Sequence, residues 1–180
     1  GGPEVVRVCV SQQQQQQQQR KGRDARAAPY PDTGTAQMSL SPSWAVRSAG
    51  TDPVLGFGIA YDGAGGALVT GYFSGNASYG STLLKSRGLA DAFVMHVTAS
   101  GVIDWAVQAG GASHDPGYGI AHDGAGGALV TGFFEGDASF GSTFLTSRGK
   151  EDAFVMHVTA SGAIDWAVQA GGASHDQGWG

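Results

Sequence analysis

Apolar and polar positions along residues 44–180 recur in short runs, without a helical spacing. Gly56 to Asp62 (GFGIAYD) and Ala67 to Ser74 (ALVTGYFS) predict two strands. Between them, Gly63-Ala64-Gly65-Gly66 supplies the positive φ values that a tight hairpin demands. Ala92 to Thr98 (AFVMHVT) alternates most strongly, which predicts a third strand with Phe93, Met95 and Val97 on one face. Ala99-Ser100-Gly101 then turns the chain into Val102 to Gln108 (VIDWAVQ), the fourth strand. These runs are β-branched or aromatic and are bounded by Gly, Asp and Ser, as strands are. The longer stretch from Gly75 to Asp91, with Ser81-Thr82-Leu83-Leu84, reads as a short edge strand or as a packed loop.

The same pattern occurs twice. Trp44, Trp105 and Trp166 are spaced 61 residues apart, and aligning 44–104 with 105–165 gives 42 identities in 61 positions without a gap. A third copy begins at Trp166 and has run a quarter of its length by Gly180. Phe57/Tyr118, Tyr72/Phe133 and Tyr79/Phe140 keep an aromatic ring, whereas Arg47/Gln108, Lys85/Thr146 and Leu89/Lys150 change as solvated positions would. Four antiparallel strands in a fixed period of this size match a β-propeller blade. The expected fold is therefore all-β: tandem four-stranded antiparallel blades of an incomplete propeller. The expected units are 44–104, 105–165 and a truncated start at 166–180.

Residues 1–43 differ in kind. Glu4 to Val10 could form one short strand, but eight consecutive glutamines follow at Gln12 to Gln19, then Arg20-Lys21-Gly22-Arg23. Such tracts bury too little apolar surface to offset chain entropy, so this polyglutamine-containing segment is expected to be disordered. The basic run RKGRDAR is read as a solvated linker, because Asp24 interrupts the charge and no aromatic residue interleaves. No secretory signal pattern appears near the N-terminus. The segment carries a net charge of +2, the repeats −7, and the whole chain −5. An acidic repeat region makes nucleic acid and anionic lipid poor partners. Cys9 is the only cysteine, which excludes a disulfide scaffold, and no apolar run is long enough to span a bilayer.

The ordered set of motifs resembles the SBBP-type β-propeller repeat. That family shows Gly-x-Ala-x-Asp before a Gly-rich turn, a strand ending in Thr-Gly, then Asp-Ala-Phe-Val, Ser-Gly and a Trp strand. The matching positions here are Gly58, Ala60, Asp62, Thr70, Gly71, Asp91, Ala92, Phe93, Val94, Ser100, Gly101 and Trp105. The second copy repeats them at Gly119, Ala121, Asp123, Thr131, Gly132, Asp152, Ala153, Phe154, Val155, Ser161, Gly162 and Trp166. His96 and His157 depart from the pattern, standing where a Lys is more usual, a change expected to touch surface charge. The resemblance implies a scaffolding or binding role outside the cell or on its surface, and no shared catalytic residue.

Closing a propeller takes at least about four blades, or roughly 244 residues at this period. Residues 44–180 supply 137. The chain is thus expected to be a piece of a longer protein or to assemble with further copies, and Met38 is an alternative start.

Candidate chemistry is sparse. The glycines around Gly63 invite a phosphate-loop reading, but such a loop must open a helix, and here the flanking elements are strands. Asp62 and Asp123 in their DGAGG turns could hold calcium; the plainer reading is an Asp closing its own turn. His96, His157, His114, His175 and His122 recur with the repeat and converge only if a ring brings them together. His114-Asp115 and His175-Asp176 resemble a metal-hydrolase pair, yet Pro53-Val54 replaces them in the first copy, so they are read as loop residues. No serine lies in a nucleophile elbow, and Asp91, Asp104, Asp152 and Asp165 sit at strand starts and turns without an evident pocket. The three tryptophans are expected to wedge between blades, with sugar stacking as the alternative. No catalytic, cofactor-binding or metal residue and no cofactor is therefore assigned. The function expected is a non-enzymatic interaction or structural scaffold that binds a protein partner or further copies of the repeat. The alternatives are a targeting or substrate-binding appendage of an enzyme whose catalytic domain lies outside these 180 residues, and a glycan-binding module.

Overall fold

A computed structural model describes residues 47–180. The readings placed on residues 1–46, among them the polyglutamine run, the first short strand and Trp44, lie outside the described residues. The described chain is all-β and has no helix. No helix of it is long and apolar enough to cross a membrane.

The first unit contains β1 (Ala49–Gly50), β2 (Val54–Tyr61), β3 (Ala67–Phe73), β4 (Asn76–Tyr79), β5 (Thr82–Lys85), β6 (Ala90–Val97) and β7 (Ile103–Gly111). The second contains β8 (His114–Asp115), β9 (Gly117–His122), β10 (Ala128–Phe134), β11 (Asp137–Phe140), β12 (Thr143–Thr146), β13 (Asp152–Val158) and β14 (Ile164–Ala170). Each unit is built on a four-stranded antiparallel sheet, β2-β3-β6-β7 in the first and β9-β10-β13-β14 in the second. Their registers match: Leu68 pairs with Ala60 and His96, and Leu129 with Ala121 and His157. Gly63 and Gly65 take φ values of 84° and 99° in the β2–β3 hairpin, which a side chain would resist. Among the described residues the two sheets form no closed barrel or ring.

The segment whose reading was open at Gly75 to Asp91 forms a two-stranded hairpin, β4–β5, and so does its counterpart β11–β12. The first hairpin pairs with β1 of its own unit, and the second joins the units. Gly110 and Gly111, at the end of β7, pair with Ser139 and Ala138 of β11, so one strand belongs to the first sheet along most of its length and to the second hairpin at its tip. β8 pairs in parallel with the start of β6, a register of Asp91 against Asp115. His114-Asp115 is therefore a short strand at the junction, and not the loop expected for it.

Packing also departs from simple alternation. In β6 every residue except His96 is buried, although the sequence pattern put only Phe93, Met95 and Val97 inside. The central strands β3 and β6 of the first sheet are covered on both sides. One apolar cluster sets Val69, Phe93 and Met95 against Ala77, Tyr79 and Leu84 of the β4–β5 hairpin. The other sets Leu68, Ala92 and Val94 of the first sheet against Val130, Phe154 and Met156 of the second. The identical strand β13 alternates between buried and accessible positions, because the second sheet has a neighbour on one side only among the described residues.

Candidate functional site

The repeated polar group of the molecule lies at the glycine turn. Asp62 follows β2, and its Oδ1 accepts the backbone N–H groups of Ala64 and Gly66, each at 2.8 Å. Its Oδ2 lies 3.0 Å from Nε2 of His96, on β6, whose Nδ1 lies 2.7 Å from Oδ1 of Asp104, on β7. The second unit repeats the arrangement: Asp123 Oδ1 accepts from Ala125 and Gly127, and His157 bridges Asp123 at 3.0 Å and Asp165 at 2.7 Å. A carboxylate only accepts hydrogen bonds, so a ring facing one on each nitrogen satisfies both when it carries both protons.

Titration behaviour follows from this geometry. Burial works against charge on His96, but the hydrogen bonds and charges of Asp62 and Asp104 outweigh it and raise the ring above the ordinary histidine value. Burial likewise opposes charge on Asp62, while the bonds from His96 and the two turn amides hold it below the ordinary carboxyl value. In the second unit the bond to His157 is the leading influence and takes Asp123 down to about 2. His157 is raised by its bonds to Asp123 and Asp165.

Each imidazole also stacks on a tryptophan, His96 on Trp105 and His157 on Trp166, with ring centres 5.7 Å apart in both. Trp105 then reaches the second unit. Its indole N–H donates to the Ala160 carbonyl at 3.1 Å, and a Cβ on Gly162 would come within 2.8 Å of its ring. The expected wedge between units is thus in place for Trp105. His96 and His157, expected to touch surface charge alone, tie strands together, each beneath a tryptophan. Asp, His and Asp recur with the same separations of 34 and 8 residues in both copies, a recurrence that marks them as a set but does not by itself bring them together.

A second polar group sits at the junction. Asp91 and Asp115 are fully buried, so neither is a free carboxylate at a turn. Burial pushes Asp91 up to about 6, against hydrogen bonds from the Arg87 amide and the Gln108 side chain. Asp115 is raised by burial too, while its oxygens accept the amides of Gly111 at 2.6 Å and Glu135 at 3.0 Å. Gln108, which replaces Arg47 and was grouped with solvated positions, donates from its side-chain amide to the Lys85 carbonyl at 2.7 Å and to Asp91 at 3.1 Å. It clamps the β4–β5 hairpin to the sheet, and Gln169 does the same for Thr146 and Asp152.

These contacts place the candidate residues. The glycine turns join strand to strand and not strand to helix. Asp62 and Asp123 close their own turns, the plainer of the two readings weighed for them. His122 accepts the Gly126 amide, and His175 pairs with Glu151 at 3.1 Å. No three His, Cys, Asp or Glu side chains among the described residues converge as a metal-binding group. Comparison with models of known protein families finds no match, and comparison with curated proteins finds none either.

Proposed function

We propose that residues 44–180 are blades of an SBBP-type β-propeller, serving without catalysis as an interaction or structural scaffold in a larger surface or secreted protein. The packing of one unit on the next supports this reading and carries it. The Trp105 indole seats on Ala160 and Gly162 one period further along the chain, and the two sheets share one apolar cluster. Asp62, His96, Asp104 and Gln108 and their counterparts in the second unit are engaged in the same hydrogen bonds, as structural groups are. The surface or secreted setting follows from the family resemblance, and the partner is a protein or further copies of the repeat.

Chains extended in steps of the 61-residue unit test the propeller directly. Imaging by electron microscopy is expected to show a ring of blades once enough units are present; an open rod at every length would overturn it. Assay of the intact protein against ester, peptide and glycoside substrates tests the absence of catalysis. Turnover that disappears on His157→Asn would replace the scaffold with an enzyme.

A further inference from the structure

The two units carry the same face, and among the described residues only one of these faces is covered. Leu68 and Val94 on the first sheet are fully buried beneath the second unit, whereas the equivalent Leu129 and Val155 are each 39% exposed. Val168 and Trp166 lie on the same open face at 55% and 40% exposure, while their counterparts Val107 and Trp105 are packed against the second unit. At the opposite end, Ile59 and Tyr61 of β2 are exposed. Their counterparts, Ile120 and His122 of β9, lie against Gly58 and Gly63 of the first unit. The described residues thus present, on β2 and on the second sheet, the two halves of an interface that the two units already make with each other.

We propose that the open face of the second sheet binds a second copy of this chain head to tail, with Ile59 and Tyr61 of the second copy taking the place that Ile120 and His122 take on the first sheet. The proposal rests on the blade reading above and names the partner and the surface. Its argument is continuity with the internal junction: the covering surface exists in the same molecule and fits residues identical to those left open. Such an interface uses different patches on the two partners, so association continues past two copies until a ring closes.

The last residues set a condition. Trp179 stacks on Tyr118 with ring centres 4.4 Å apart, and Tyr118 in turn packs at a tilt against Phe57 at 5.0 Å. Gly178 donates its N–H to the Gly132 carbonyl at 3.1 Å, and a Cβ on Gly119 would come within 2.5 Å of Gly180. Gln177 to Gly180 therefore occupy the start of the seat in the register that an incoming β2 would take. A second copy displaces them, exchanging Trp179 for its own Phe57.

Sedimentation velocity on the 180-residue chain over a wide concentration range is the test. The expected result is mass rising above 18.3 kDa in whole multiples as concentration increases. Removing Gln177–Gly180 should strengthen association. Val168→Asp at one end, or Ile59→Asp at the other, should weaken it by at least about tenfold, because each buries an unpaired charge in the contact. The decisive sample mixes those two variants, both folded by circular dichroism. Each retains one intact end, so together they should form a dimer and nothing larger. A folded chain that stays monomeric throughout, or folded variants that do not dimerise when mixed, would overturn the proposal. A monomer that still forms a ring when extended with further units would leave the blade reading standing.

Discussion

Tyr79 and Phe140 occupy equivalent places, and the difference between them is one oxygen. The Tyr79 ring is fully buried against Phe73 and Phe93, and its hydroxyl has no hydrogen-bond partner among the described residues. Burial alone raises its pKa. A buried hydroxyl without a partner costs about 1–3 kcal/mol relative to an apolar atom. Tyr79→Phe, which installs the residue the second unit already uses, should stabilise the chain by about 1 kcal/mol. A urea midpoint that falls on this substitution would mean that the hydroxyl makes a bond that matters. The residue scale also accounts for the glycine at 162: its φ of 82° disfavours any side chain, and its missing Cβ leaves room for Trp105.

Strands are held together by the histidine bridges, so pH acts at the scale of elements. His96 joins the end of β2, through Asp62, to β6 and to Asp104 on β7, and His157 does the same in the second unit. Both rings are raised, so their contribution is complete below the ordinary value of 6.5 and is lost as pH climbs through the folded value. Asp62 and Asp123 are lowered, so theirs is present above the ordinary 3.8 and is lost as pH drops through the folded value, which is about 2 for Asp123. Asp91 works in the opposite direction, since a carboxyl raised to about 6 loses stability as pH rises toward that value. Comparing the parent with His96→Asn/His157→Asn isolates the bridges. The stability gap in urea should be widest between 3.8 and 6.5 and should narrow above that range. An unchanged gap on both sides would show that the rings stay neutral.

Across the whole molecule, identical residues have different environments, which provides an internal control for burial. Val94 is sealed between the two units while Val155, the same residue in the same register, faces outward. Val94→Ala should cost about 2 kcal/mol through lost burial and the cavity left behind. Val155→Ala should cost less, about 1 kcal/mol or under in a dilute, unassociated chain, since that side chain is already partly in water. Equal losses in thermal or urea unfolding would mean that the second face is covered in solution, and would point to association.

Much of this organisation is readable from the residues. The 61-residue period, the four sheet strands of each unit and the glycine hairpins follow from local pattern, because strand alternation and positive-φ turns are set by neighbours in sequence. The recurrence of Asp62, His96 and Asp104 at Asp123, His157 and Asp165 was present too, but spacing cannot say that the three meet. Their meeting depends on the β3–β6–β7 register, which is a long-range pairing. The β4–β5 hairpin stayed open between an edge strand and a packed loop, because its strands are four residues long and too short to display a period. The burial of Asp91 and Asp115 escaped because charge alone predicts exposure, and only the parallel contact of β8 with β6 encloses them. Local sequence thus specifies the repeated unit. Which copy of a given side chain is core and which is surface is decided by the neighbouring sheet, since burial belongs to the assembled layers and not to the strand.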